Sequence, residues 1–243
     1  MKNLIQQTLA QFTITVTTLI LLTGIVTAQT ISKQNDKDIK EAGKTSTEAA
    51  KVFNEVMKAP DKAIPSDLLE KAEAVAIFPG VINAAFIIGG RGGVGIISRR
   101  TATGWSAPAF FKIGGSFGAQ IGGQKIDYVM LIMNEGGLKG LLKDKFELGG
   151  EASIAGGPVG RSASATTNLT LGAGILSYSR TRGLFAGISL KGAVITPDND
   201  RNQAVYKHNA NQLLTGNSSD VTAPNYVGIV PQTLSRYSSR KGN

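Results

Sequence analysis

The chain has 243 residues, of which 42% are hydrophobic and 18% are charged, a composition typical of a globular protein. No cysteine is present, which excludes disulfides, a thiol nucleophile and a thiolate metal site. The net charge is +9, and thirteen basic against seven acidic residues between positions 74 and 206 supply +6 of it. Such a surface favours anionic partners, although ordinary solubilising charge explains it equally well.

Residues 1–28 have the pattern of a secretory signal peptide. Lys2 is the only charged residue before Lys33, Phe12 to Val26 is apolar and threonine-rich, and Val26-Thr27-Ala28 supplies small residues for cleavage. An uncleaved membrane anchor is the alternative, but threonine and glutamine dilute the apolar run. We therefore expect an exported protein of the periplasm or cell envelope, peripheral to the membrane.

Two helices are predicted after a polar, flexible segment, residues 29–37. Apolar residues recur at three- and four-residue spacings from Asp38 to Lys58, and Pro65-Ser66-Asp67 begins a shorter helix that ends near Lys71. The apolar face of the first helix packs on a core in one interpretation and inserts into a bilayer in the other. The candidate membrane-contact residues of the second interpretation are Ile39, Val52, Phe53 and Val56.

Short apolar runs broken by glycine predict a sheet from Ala74 onward. Pro79-Gly80 is expected to end the first strand, Gly89 to Gly93 to form a turn, and Thr181-Arg182-Gly183 to close a hairpin. Asn134 is predicted to cap a short helix that ends near Lys145. The predicted strands are 74–78, 84–88, 94–98, 105–113, 128–133, 147–154, 169–179 and 184–195.

These elements predict an α+β domain over residues 38–206. Its N-terminal helices should pack on a strongly curved, glycine-rich antiparallel sheet with one short inserted helix, and a barrel-like form is one version of this fold. Interior glycines suit such curvature because they permit tight bends and close backbone approach. Residues 207–243 are rich in polar residues, and we expect them to form a poorly ordered tail.

A hydrolase is the sharpest enzymatic hypothesis. Gly114-Gly115-Ser116-Phe117-Gly118 matches a nucleophile elbow, and Asp127 and His208 follow in the order of a triad. An elbow needs a helix after its serine, whereas Gly122-Gly123 and a strand-like run follow here. We therefore expect no catalytic residue and no enzyme activity.

Other ligand classes have weaker support. Gly90 to Gly95 matches the dinucleotide pattern G-x-G-x-x-G, but a strand-like run follows instead of the helix that would receive the pyrophosphate. One histidine and scattered carboxylates give no metal-ligand spacing. No aromatic-interleaved basic stripe suggests nucleic acid. We expect no cofactor, no metal and no nucleic acid.

A series of blocks along residues 38–206 resembles one known family. The blocks are Ile64-Pro65, Leu68-Leu69, Lys71-Ala72, Ala74-Val75-Ala76-Ile77-Phe78-Pro79, Gly89-Gly90-Arg91-Gly92-Gly93-Val94-Gly95, Arg99, Gly104-Trp105-Ser106-Ala107-Pro108-Ala109, Gly118-Ala119-Gln120-Ile121-Gly122, Met133-Asn134, Leu148-Gly149, Ala155-Gly156-Gly157-Pro158-Val159-Gly160-Arg161, Tyr178-Ser179-Arg180 and Gly183-Leu184-Phe185-Ala186-Gly187-Ile188-Ser189-Leu190-Lys191-Gly192. In order and spacing they resemble the SYLF family, also called the Ysc84 actin-binding or lipid-binding domain, in an exported, bacterial-type form.

The resemblance implies phospholipid or phosphoinositide binding and, in eukaryotic members, actin binding. The predicted signal peptide argues against actin as a partner. An envelope protein partner, with a scaffolding role, is the alternative function. The expected main function is therefore non-catalytic binding of anionic phospholipid at a membrane surface, for which each nearby cation contributes about 1 kcal/mol before screening. The candidate lipid-binding residues are Arg91, Arg99, Arg100, Arg180, Arg182 and Lys191.

Overall fold

A computed structural model describes most of the chain after residue 32. The described residues are 33–59, 63–85, 89–117, 122–150, 152–160, 172–181, 183–215 and 221–238, with the backbone alone described for 83–85, 89–91, 116–117 and 122–123. The predicted signal peptide, residues 1–28, lies outside these ranges.

The described residues contain a long first helix and five shorter ones. They are α1 (33–57), α2 (Ser66–Lys71), α3 (Glu135–Leu141), α4 (Asn199–Tyr206), α5 (Ala210–Thr215) and α6 (Ile229–Tyr237). Helix α1 begins five residues before its predicted start at Asp38, within the segment expected to be flexible. Asn134 caps α3 as predicted, because its Oδ1 accepts a 2.8 Å hydrogen bond from the backbone N–H of Gly137. Within the part of the chain that the structure describes, no helix has both the length and the apolar character needed to cross a bilayer.

The strands of the described residues are nine in number and form one mixed sheet. They are β1 (Ala74–Ala85), β2 (Gly89–Arg99), β3 (Ala109–Phe117), β4 (Gly122–Ile132), β5 (Phe146–Glu147), β6 (Ile154–Gly156), β7 (Ile175–Thr181), β8 (Leu184–Gly187) and β9 (Val194–Pro197). The strand order is β5-β9-β3-β2-β1-β4-β7-β6, and β8 also pairs with β7. Among the strand pairs that the structure describes, β6–β7 is parallel and the others are antiparallel. The predicted α+β class and the predicted hairpin between β7 and β8 are confirmed.

Two short connections force the sheet to curl. β5 and β6 lie at opposite edges of the sheet, yet only residues 148–153 join them, and residues 188–193 make the second crossing between β8 and β9. Neighbouring strands about 4.8 Å apart would separate the edges of a flat sheet of eight strands by about 34 Å, whereas seven extended residue steps reach about 24 Å. The crossings bind each other through Leu148, whose N–H donates to Ala193 and whose carbonyl accepts from Gly192, both at 2.8 Å. The result is a strongly curled half-barrel.

Glycine bends the sheet without interrupting its strands, which corrects two predictions. β1 continues through Pro79-Gly80 with a register shift, because Gly80 has φ +57° and its N–H donates to Asp127 Oδ1 at 2.8 Å. The predicted turn at Gly89 to Gly93 is part of β2. A Cβ atom on Gly95, in the same strand, would clash with the carbonyl oxygen of Ile77, so close approach of β1 requires glycine there.

Helix α1 packs on the core. Its buried stripe includes Ala42, Ala49, Phe53 and Val56, all at most 1% exposed. The ring of Phe53 meets that of Tyr237 of α6 edge-on, with centroids 5.9 Å apart. The helix therefore joins the sheet to the C-terminal part of the chain.

Residues 207–215 and 221–238 differ from the expected disordered tail. Leu213 and Leu214 in α5, and Val230 and Leu234 in α6, are fully buried. Val227, Val230 and Leu234 recur at helical spacing and form one apolar face, although the average polarity of the segment is high. A few well-spaced apolar residues thus suffice to dock the segment.

We expect Phe53→Ala to lower the free energy of unfolding by about 3–5 kcal/mol, because it empties a fully buried position. Lys51→Ala, at an exposed position of the same helix, is the control and should change stability by less than about 0.5 kcal/mol. Urea unfolding measures both. Equal, small effects would mean that α1 is not docked in solution.

Two buried phenols make a matched pair. Tyr206 Oη donates to the carbonyl of Pro108 at 2.8 Å, whereas Tyr178 Oη has no hydrogen-bond partner among the described residues. We expect Tyr206→Phe to cost about 1 kcal/mol and Tyr178→Phe to be neutral or stabilising. Burial raises the pKa of both phenols, so stability should fall as pH rises above about 10, where unfolded tyrosines ionise. Unfolding measured against pH should show a weaker decline in each variant.

Candidate functional site

Arg99, a candidate lipid-binding residue, is bonded inside the molecule. Its Nη1 donates to the carbonyl of Leu214 at 2.9 Å, and its Nη2 forms a 2.6 Å ion pair with Glu135. The side chain is 24% exposed. Arg99 therefore connects β2 with α5 and α3, and binding a headgroup would require it to leave these partners.

Arg100 is a structural residue of the core boundary. It is 8% exposed, its Nε and Nη2 donate to the carbonyls of Ala72 and Leu69, and its Nη1 donates to the carbonyl of Ser238 at 3.1 Å. The guanidinium also lies 4.1 Å from the centre of the Trp105 ring. Arg100 thus holds the end of α2, the loop before β3 and the end of α6 together.

Arg180 attaches helix α1 to the sheet. It forms an ion pair with Glu55 of α1 and donates from Nε to Asp127 Oδ2 at 3.0 Å. Asp127 also accepts the N–H of Gly80. A guanidinium between two carboxylates is largely neutralised, so Arg180 has little charge left for a lipid phosphate.

Of the three remaining candidate cations, only Lys191 is described together with its side chain. Lys191 is exposed in the connection between β8 and β9. The backbone of Arg91 lies within β2, but its side chain and the whole of Arg182 lie outside the described residues. Their roles stay predictions.

The candidate membrane-contact residues face the core. Val52, Phe53 and Val56 are at most 5% exposed, and Ile39 is half-buried. Contact of these side chains with a bilayer would require α1 to leave the sheet and break the Arg180–Glu55 ion pair.

The residues of the hydrolase pattern are engaged elsewhere. Ser116 lies within strand β3 rather than at a turn into a helix. Asp127 binds Arg180, and the Nδ1 of His208 lies 2.7 Å from the carbonyl oxygen of Tyr206. The arrangement lacks the strand-to-helix elbow that exposes a nucleophilic serine.

A cleft of about 570 Å³ opens between the loop before β3 and the C-terminal helix α6. The loop contributes residues around Trp105, and α6 contributes one face. The lining residues are Thr101, Thr103, Gly104, Trp105, Ser106, Ala107, Val221, Thr222, Ala223, Gly228, Pro231, Gln232 and Ser235. Hydroxyl and amide groups alternate with small apolar side chains, and none of these residues carries a charge. The cleft can therefore offer hydrogen bonds and apolar contact to an uncharged ligand.

Sequence reasoning missed this cleft. Its walls come from residues 101–107 and 221–235, which are more than a hundred positions apart, and the second wall was expected to be disordered. The available signal was the helical spacing of Val227, Val230 and Leu234, which predicts that the opposite face, with Gln232 and Ser235, is presented to solvent.

Comparison with known families identifies the domain. The family model Ysc84, described as "Las17-binding protein actin regulator", matches residues 113–237, just over half of the chain. The chain belongs to the Ysc84 family. The match runs from β3 to the end of α6, so the C-terminal helices are part of the Ysc84 domain. The predicted resemblance is thereby confirmed.

Curated relatives share the domain within longer proteins. An SH3 domain-containing protein of Schizosaccharomyces pombe is 38% identical over 64% of this chain and 37% of its own length. LAS seventeen-binding protein 3 of Saccharomyces cerevisiae is 34% identical over 64% of this chain and 35% of its own length. SH3 domain-containing YSC84-like protein 1 of Bos taurus is 31% identical over 84% of this chain and 60% of its own length. The chain thus spans between about a third and three fifths of the length of these relatives.

We expect Arg100→Leu to destabilise the Ysc84 domain by about 3 kcal/mol, because it leaves buried carbonyl groups without their charged donor. Arg236→Leu removes the same charge at an exposed position of α6 and should change stability by less than about 0.5 kcal/mol. Thermal and urea unfolding measure the difference. A mild effect at Arg100 would contradict its structural role.

Proposed function

We propose that this Ysc84 domain is a non-catalytic module that binds a protein partner. A family model described as a Las17-binding actin regulator and a relative named for Las17 binding support a protein ligand. The observation in this chain that carries the proposal is the internal use of its cations. Three of the six residues expected to bind headgroups, Arg99, Arg100 and Arg180, already bind carbonyl or carboxylate oxygens.

The proposal of no catalysis is supported by the positions of the hydrolase pattern. Ser116 lies in a strand, and Asp127 is held by Arg180 and Gly80. In a catalytic triad the histidine is the general base, and the aspartate orients it toward the serine. An Asp127 that is bound to Arg180 and Gly80 is not available for this role.

We further propose that the protein acts in the cell envelope, as the pattern of residues 1–28 predicts. In that compartment its role would be scaffolding, with an envelope protein as the natural partner. Las17 and actin then serve as probes of the binding property of the family, because the family description names both.

Anionic phospholipid is the second candidate ligand, and one feature of the sheet favours it. Ile82 of β1 is 53% exposed, and it pairs with the exposed Lys125 of β4, so both side chains lie on one face of the sheet. An apolar side chain next to a cation fits an anionic bilayer surface. The net charge of +9 points the same way.

We expect the purified protein to bind purified Las17 or to co-sediment with filamentous actin, and to keep that binding at physiological salt. Vesicles of phosphatidylcholine, with and without phosphatidylserine, form the lipid arm at low and physiological salt. In that arm Lys125→Glu tests the lipid face, with Lys51→Glu on exposed α1 as the control for net charge.

Binding confined to anionic vesicles, lost in salt and weakened by Lys125→Glu more than by Lys51→Glu, would replace the protein proposal by the lipid one. Salt screening weakens exposed charge pairs most, so the salt series separates the two modes. Absence of binding to both proteins would contradict the main proposal.

A further inference from the structure

We propose that the cleft between the loop before β3 and helix α6 binds an uncharged peptide segment. The inference rests on the proposed function, since it names the site and the chemistry by which a protein partner would be held. It is carried by three properties of the cleft: its walls are fixed, its lining is neutral, and its hydrogen-bonding groups are distributed over both walls.

The α6 wall is fixed from behind. Gly228, Gln232 and Ser235 line the cleft at helical spacing, while Val230 and Leu234 on the opposite face are fully buried. Burial of this face fixes the helix on the core, so the face toward the cleft keeps one orientation. A peptide that binds there does not have to order the helix first, which lowers the entropic cost of binding.

The loop wall is fixed by hydrogen bonds and by the stacked arginine. The N–H of Thr101 donates to the carbonyl of Gly104 at 2.9 Å, and the N–H of Ser106 donates to the carbonyl of Arg99 at 2.8 Å. Trp105 lies against the Arg100 guanidinium and donates from Nε1 to Ser238 Oγ at 3.2 Å. Ser238 follows α6 directly, so this bond connects the two walls at the base.

The lining selects against charge. The described residues around the cleft include five hydroxyl groups and one side-chain amide, but no lysine, arginine, histidine, aspartate or glutamate. A charged group entering the cleft would lose hydration without gaining an opposite charge, which is costly. Hydroxyl and amide groups both donate and accept, as the peptide backbone does.

The backbone of the second wall adds groups that a peptide can bind. Residues 221–223 line the cleft in neither helix nor strand, so they can offer backbone groups as well as side chains. The two walls approach each other at Gly104 and Ser235, since a Cβ atom on Gly104 would lie 3.5 Å from Ser235 Oγ. Pro231, Val221 and Ala223 supply apolar contacts between the polar groups. The volume of about 570 Å³ falls within the usual range of ligand pockets.

The test is selection from a displayed library of random short peptides against the full protein. We expect the enriched peptides to be poorer in Asp, Glu, Lys and Arg than the unselected library. Gln232→Lys, which places a cation in the cleft, should weaken binding of these peptides by about 10-fold or more and should admit acidic peptides that the native protein rejects. Gln203→Lys adds the same charge at an exposed position of α4 and should leave selection unchanged.

A second variant separates shape from charge. Ser235→Gln places a larger side chain in the cleft without adding charge and should also weaken binding, with circular dichroism and thermal unfolding as checks on the fold. Enrichment of charged peptides, equal effects of Gln232→Lys and Gln203→Lys, or no enrichment at all would overturn the inference. If Las17 or actin still binds Gln232→Lys with native affinity, the proposed protein binding stands and only this cleft is excluded as its site.

Discussion

The short distance between the two edges of the sheet is the constraint on which the rest of the molecule depends. Residues 148–153 join the two edge strands β5 and β6, and residues 188–193 join β8 to β9, which lies next to β5. Only a curled sheet lets both connections be so short. Curling creates a concave and a convex side, and both must be covered. The five consecutive residues Ala74 to Phe78 are at most 1% exposed and point alternately to the two sides, so both are covered at β1.

Several charged side chains hold the elements of the domain together through ion pairs. Arg180 lies between Glu55 and Asp127, and Arg201 lies between Glu41 and Asp198, so two guanidinium groups attach α1 to the sheet and to α4. From the sequence alone, the arginines and carboxylates of these ion pairs would be expected to be solvated surface charges. The lining of the cleft beside α6 consists of uncharged residues, although the net charge of the chain is +9.

Local signals in the sequence predicted the elements that depend on local contacts. The cap of Asn134, the start of α2 after Pro65 and the β7–β8 hairpin each rest on neighbouring residues. The sequence could not show which of Arg99 and Arg100 is buried. Adjacent residues of an extended chain face opposite sides, and only the fold decides which of the two meets Trp105. The cleft could not be predicted from the sequence for the same reason, because its two walls meet only when α6 has packed on the core.

The bond between Arg100 and Ser238 spans 138 positions. During synthesis, 138 further residues must therefore appear before Arg100 reaches its acceptor on Ser238. Contacts of such long range slow folding, because the intervening chain must first be closed into a loop. A nascent chain of this design stays incompletely folded until Ser238 has been synthesised.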